Sequence, residues 1–182
     1  APLRSEYLKC LAPRVMCGDL YTGLIHPGGA FQLNVALTWG MRTNGRTAQS
    51  IEYHNWTEAF RSTPVVDMDH LAGRELRFWR DWVSHTEYDD YWDSVNIETK
   101  WDQFAVPALV MGGWYDLYSQ NAFINFNGLK LNGRTEEARQ SRLIVGPWPH
   151  ALSASTKTGD IDFGVNSMVD LESLELRWFD YW

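Results

Sequence analysis

VPALVMGGWYD, residues 106–116, is an apolar run that breaks at two glycines and ends in an aspartate. A second segment, SRLIVGPWPH at residues 141–150, has the same design and ends in a histidine. Each run is long enough for one buried strand, and nearly continuous apolar strands are typical of parallel sheets. Open α/β sheets carry their functional groups at the carboxyl ends of such strands. The two segments therefore predict that Asp116 and His150 lie together at one edge of a sheet.

The residues between these two runs predict a helix. Residues 119–131 have apolar side chains at helical spacing, and Asn132-Gly133 is a typical helix stop. A strand, a helix and a second parallel strand form a right-handed crossover unit. Because the two strands are parallel, both carboxyl ends lie on the same edge, although 34 positions separate the aspartate from the histidine (150 − 116).

A long insertion interrupts the predicted sheet. Residues 8–17 predict another strand, and about eighty residues separate it from the run at 106–116, far more than an ordinary crossover needs. Within this insertion, residues 31–41 and 71–85 have helical periodicity. We therefore predict an α/β fold, the carboxyl-terminal part of a parallel sheet with an inserted helical cap. Its parts are a core strand at 1–18, the cap at 19–104, and the last strands and helices of the core at 105–182.

Composition and charge exclude several classes of function. The chain has 182 residues, 45% of them apolar and 21% charged, which is ordinary for a globular protein. Its net charge of −7 comes without a basic run, so we expect no nucleic-acid partner. No apolar stretch approaches the roughly 20 residues that span a bilayer, so we expect no membrane partner and a soluble, cytoplasmic protein. His54, His70 and His85 lack carboxylates at metal-binding spacing, and we expect no metal or other cofactor.

Asp116 and His150 suit acid–base chemistry if they meet. An imidazole can take the proton of a nucleophile and later give it to a leaving group, while a carboxylate on its other nitrogen fixes the tautomer. In the alternative interpretation, His150 is a loop histidine without chemistry, and Asp116 caps the helix that follows it. Asp160 and Asp162 are further candidates for orienting the histidine, although a turn explains them better.

Aromatic residues flank both positions in the sequence. Trp114, Tyr115 and Trp148 neighbour the predicted site and are candidates for the lining of a substrate pocket. Core packing explains each of them about as well. His26, in the turn HPGG, is a further candidate for the substrate pocket, with a structural histidine as the alternative.

Short motifs follow one another along nearly the whole chain. They are LKCLAP at 8–13, DLY at 19–21, HPGGAF at 26–31, YDDYW at 88–92, GGWYD at 112–116, LIVGPWPH at 143–150, DFG at 162–164 and LRWFD at 176–180. In sequence and in order they resemble the motifs of the CocE/NonD hydrolases. These are the cocaine-esterase and X-Pro dipeptidyl-peptidase relatives within the α/β-hydrolase fold.

The resemblance implies a serine hydrolase that cleaves a small-molecule ester or amide through an acyl-enzyme. Asp116 and His150 would be two members of its triad. The family's nucleophilic serine and an oxyanion-hole donor precede the strand near residue 12, and a jelly-roll domain would follow Trp182. Because the sequence contains no G-x-S-x-G, we expect the chain to be a middle piece of a longer enzyme. Esterase, aminopeptidase and β-lactam acylase specificities all fit this framework.

Two hypotheses from other classes remain open at this point. The first is a non-catalytic module that binds sugars on an exposed row of tryptophans. The second is an inactive fragment that associates with itself, as a homo-oligomer, through apolar surfaces and a sheet edge that other parts would cover.

Overall fold

The computed structural model describes residues 5–45 and 50–182. The described residues form two compact units, one of residues 5–18 and 96–182, the other of residues 19–95. The first unit contains the strands and is called the sheet unit below. The second consists of helices and turns and is called the helical unit. No described helix is long and apolar enough to cross a membrane.

The limit of the helical unit differs from the limit predicted for the cap. The predicted cap ends at residue 104, whereas residues 96–104 group with the sheet unit. Trp101 and Phe104 explain this difference, because both rings pack into the core of the sheet unit. A cap function of the helical unit stays a prediction.

The helices and strands follow the chain in this order. The helical unit contains α1 (Leu33–Thr43), α2 (Trp56–Arg61), α3 (Met68–Leu71), α4 (Arg77–Ser84) and α5 (Asp90–Val95). The sheet unit contains β1 (Leu109–Gly113), α6 (Ser119–Asn132), β2 (Arg142–Gly146), β3 (Lys157–Thr158), β4 (Ile161–Asp162) and α7 (Leu171–Tyr181).

The two apolar runs form the parallel pair that the sequence predicts. β1 and β2 pair in register from Leu109 with Arg142 to Gly113 with Gly146, and α6 connects them. The unit is therefore α/β. β3 and β4 form a separate antiparallel hairpin.

The predicted strand at residues 8–17 is interrupted. It contacts β1 through two isolated parallel bridges, Leu11 with Ala108 and Arg14 with Met111. Between them, Pro13 accepts a hydrogen bond from the N–H of Met111 but has no N–H of its own to donate back. One bond of the ladder is therefore missing, which separates the two bridges.

The core of the sheet unit lies on both faces of β1. Successive side chains of a strand point to opposite faces. Val110 contributes to a cluster with Trp101, Phe104, Ala108, Ala122 and Leu129. Leu109 and Met111 contribute to a second cluster with Trp148 and Leu171. All five residues of β1 are buried, as the apolar run predicts.

In the helical unit, the helix predicted at 71–85 is shorter in the structure, where α4 covers Arg77–Ser84. α4 begins at Arg77, because Gly73 takes a positive φ of 101° and turns the chain. Asp69 holds this turn, since its fully buried carboxylate accepts hydrogen bonds from the N–H groups of His70 and Leu76. The guanidinium of Arg80, 3.1 Å away, balances its charge.

Candidate active site

An acid and a histidine meet where β1 and β2 end. Asp116 follows the end of β1 by three residues, and His150 follows the end of β2 by four. Nδ1 of His150 lies 3.0 Å from Oδ1 of Asp116. Because an ionised carboxylate can only accept, Nδ1 carries the proton and donates it. The structure thus brings the two side chains together at the predicted edge.

The surroundings of Asp116 favour a tight hydrogen bond to the imidazole. Its side chain is fully buried, and Oδ1 also accepts the backbone N–H of Tyr118 at 3.3 Å. Among the described residues, no group donates to Oδ2. Away from water, a carboxylate attracts a nearby N–H or a positive charge more strongly.

His150 is far more accessible than its partner. Its side chain is 58% exposed, whereas that of Asp116 is 0% exposed. With Nδ1 directed at the carboxylate, Nε2 is the nitrogen left for proton exchange with other molecules. A buried acid that orients an accessible imidazole is suited to general acid–base chemistry.

Gly113 allows the loop after β1 and the loop after β2 to approach each other closely. The N–H of Trp114 donates to the carbonyl of Gly146 at 2.9 Å, and the N–H of Tyr115 donates to that of Trp148 at 3.1 Å. A Cβ on Gly113 would lie 2.0 Å from the carbonyl oxygen of Trp148. No side chain fits at this position, so Gly113 is needed for the spacing of the loops that carry Asp116 and His150.

We expect Gly113→Ala to lower the free energy of unfolding by roughly 3 kcal/mol, because the clash is with backbone that cannot turn aside. Urea unfolding of the full-length protein, followed by tryptophan fluorescence, measures this change. Gly159→Ala is the control, since its methyl meets nothing within 4 Å and only the positive φ of 57° opposes it. Its cost should be about 1 kcal/mol. Equal costs for both variants would contradict the role of close approach.

Two of the predicted pocket residues are accessible beside the acid. Trp114 is 59% exposed and Tyr115 is 50% exposed. The ring of Trp114 packs on Phe123, and the ring of Tyr115 lies 5.8 Å from that of Phe163, just after β4. Exposed rings on the strand-end loops remain candidates for substrate contact.

Trp148, the third aromatic candidate, lies in the core of the sheet unit. It is 2% exposed, packs in the core cluster with Leu109, Met111 and Leu171, and donates from Nε1 to the carbonyl of Ser167 at 2.6 Å. A Cβ at Gly146 would lie 2.3 Å from its ring, so the ring fills the space above that glycine. This environment fits the core-packing alternative for Trp148, and a pocket-lining role of Trp148 stays a prediction.

His26 belongs to the helical unit. It is 3% exposed and lies among the rings of Tyr21, Phe31 and Trp92. Burial lowers the pKa of its imidazole, which is therefore neutral at physiological pH. This environment fits the alternative of a structural histidine, and a substrate contact of His26 stays a prediction.

Tyr118 contacts both members of the pair and is absent from the sequence-based candidates. Besides its N–H bond to Asp116, its ring centroid lies 5.8 Å from that of His150. The feature of the sequence that could have indicated Tyr118 is its position, two residues after Asp116 and directly before α6.

In the part of the chain that the structure describes, no three His, Cys, Asp or Glu side chains are grouped to hold a metal ion.

Comparisons with known proteins agree with this α/β frame. The cocaine esterase of Rhodococcus sp. (strain MB1 Bresler) is 27% identical over 176 residues, which cover 87% of this chain and 29% of the esterase. A solved structure of an alpha-amino acid ester hydrolase labelled with selenomethionine superposes with a TM-score of 0.61 at 20% identity, over 85% of this chain and 26% of that one. The chain thus spans under a third of the length of either protein, and the second comparison concerns the fold alone.

A family comparison covers most of the sequence. The model of the X-Pro dipeptidyl-peptidase (S15 family) matches residues 1–152. This range includes the helical unit, β1, β2 and both members of the acid–histidine pair. The chain belongs to the X-Pro dipeptidyl-peptidase (S15) family.

Proposed function

We propose that the protein containing this chain hydrolyses esters or amides by acyl transfer. His150 acts as the general acid–base, and Asp116 orients it. The observation that carries the proposal is the 3.0 Å hydrogen bond between a buried carboxylate and an accessible imidazole at adjacent strand ends. The nucleophile would be a serine outside this chain, as the resemblance to the CocE/NonD hydrolases implies.

The chemistry follows from the orientation of the imidazole. Nε2 of His150 takes the proton of the serine hydroxyl as its oxygen attacks the substrate carbonyl carbon. The imidazolium then gives that proton to the departing alcohol or amine, which leaves an acyl-serine. Water adds to the acyl group in the same way, with His150 first accepting its proton and then returning it to the serine oxygen. The carboxylate of Asp116 stays ionised and stabilises the imidazolium at each stage.

The class of substrate is ester or amide. The relatives named above are a cocaine esterase and an amino acid ester hydrolase, and the family name refers to dipeptides ending in proline. Both classes react through the same acyl-serine, since they differ in the leaving group that His150 protonates. The half-exposed rings of Trp114 and Tyr115 are suited to contact an apolar part of the substrate.

Burial of the tryptophans disfavours the sugar-binding hypothesis. Among the described residues, Trp79, Trp82, Trp92, Trp101 and Trp148 are buried in the cores of their units. The exposed ones are Trp39 and Trp114, one in each unit, and each packs against a neighbouring ring. Rings that are packed into cores leave few faces for stacking on sugars.

A substrate panel on the full-length protein tests the proposal. We expect turnover of p-nitrophenyl acyl esters, of Xaa-Pro p-nitroanilides, or of both. A fluorophosphonate should inactivate the enzyme by labelling one serine. If the folded protein hydrolyses neither class of substrate, or if it keeps full turnover after complete labelling, acyl transfer is contradicted.

A further inference from the structure

Tyr118 has contacts that the mechanism above does not use. It lies between β1 and α6, directly before the first residue of the helix, and is half-buried. Its N–H donates to Oδ1 of Asp116 at 3.3 Å. Its ring lies 5.8 Å from the imidazole of His150, with 57° between the two planes. One residue therefore contacts both the acid and the base.

The imidazole needs support beyond its hydrogen bond. The bond from Nδ1 to Asp116 fixes one atom of the ring, while a side chain that is 58% exposed can still tilt about that point. Aromatic rings that pack at 4.5–7 Å restrict such tilting by van der Waals contact. The ring of Tyr118 is at this distance, on a residue whose backbone is tied to the same carboxylate oxygen.

The phenol acts through its ring and not through a charge. Burial raises the pKa of Tyr118 above its usual range, and the neighbouring acidic groups of Cys17 and Asp116 raise it further. The side chain is therefore neutral wherever an imidazole can work as a base. Because the observed contact with the imidazole is made by the ring, phenylalanine should replace tyrosine with small effect.

We propose that Tyr118 is a positioning residue, whose ring holds the imidazole of His150 at the angle that directs Nε2 to the proton of the nucleophile. This inference rests on the proposed function. It assigns the residue to the orientation of the acid–base group rather than to the stability of the fold. A misplacement of a reacting group by about 1 Å can lower a rate by about 10²-fold.

Steady-state kinetics of three variants of the full-length enzyme test the inference. We expect Tyr118→Ala to lower kcat by about 10- to 100-fold with KM within about twofold, because the substrate still binds but the base is misaligned. Tyr118→Phe should keep kcat within about threefold of the wild type. Tyr181→Ala, the control, removes a 74% exposed ring on α7 and should leave both constants unchanged.

A double variant separates positioning from a general loss of structure. In the Asp116→Asn background the imidazole has already lost its working tautomer or the charge that stabilises the imidazolium, so adding Tyr118→Ala should cost less than about threefold. A full additional loss there, a loss confined to KM, or equal losses for the Phe and Ala variants would overturn the inference. So would an unchanged kcat in Tyr118→Ala, if the wild type is active and His150→Ala is not. If His150→Ala is active as well, the proposed function itself fails.

Discussion

Replacement of His150 by alanine in the full-length protein is expected to lower kcat/KM for its ester or amide substrate by about 10³-fold or more. The substitution removes the group that accepts the proton of the nucleophile and later protonates the leaving group. Binding should persist, so the loss should fall on kcat. Because the imidazole is 58% exposed, its removal leaves no core cavity, and circular dichroism and the thermal midpoint should stay unchanged.

A second histidine supplies the matched control for this experiment. His70 is exposed in the helical unit, and His70→Ala should retain wild-type kinetics. Ester cleavage near the original rate in His150→Ala would remove the catalytic role of the pair. A comparable loss in both variants would instead point to a general effect of the substitutions on the protein.

The unit of β1, α6 and β2 could be predicted from the sequence because its signals are local. Continuous apolar runs predict strands, and the parallel pairing of β1 with β2 places both carboxyl ends at one edge. The expected burial holds for all of β1, whereas in β2 it holds for Gly146 alone. α6 extends over Ser119–Asn132, within one residue of the predicted 119–131, and ends before Gly133 as expected. Parallel strand ends bring the loops that carry Asp116 and His150 to one edge, and the conformation of those loops sets the 3.0 Å distance between the two side chains.

Features that depend on contacts between distant residues could not be predicted in the same way. The break at Pro13 depends on which carbonyl of β1 faces its missing N–H. The burial of Trp148 depends on the absence of a side chain at Gly146, above which its ring lies. Within α6, the polar residues Asn121 and Asn125 are buried, although the helical pattern predicts that apolar side chains form the buried face. The amide of Asn125 donates to the carbonyl of Met16, more than a hundred residues away.

Asp116→Asn in the full-length protein is expected to lower kcat by about 10³- to 10⁴-fold at neutral pH. If the amide nitrogen faces His150, Nδ1 must accept, the proton moves to Nε2, and the imidazole can no longer act as a base. If the amide oxygen faces it, the tautomer is kept but the negative charge that stabilises the imidazolium is lost. Either orientation therefore lowers the rate.

The same substitution distinguishes the catalytic interpretation of Asp116 from a capping role. No side chain caps the first turn of α6, and Oδ1 of Asp116 bonds instead to the N–H of Tyr118. Asparagine can accept that bond, so the thermal midpoint should change little while turnover is lost. Asp160→Asn makes the same chemical change at an exposed carboxylate beside β4. It should keep kcat within about twofold, because the carboxylate that bonds to His150 among the described residues is that of Asp116. Equal losses of activity in the two variants would contradict a specific catalytic role of Asp116. If Asp116→Asn unfolds the protein but retains kcat per folded molecule, Asp116 acts as a structural residue.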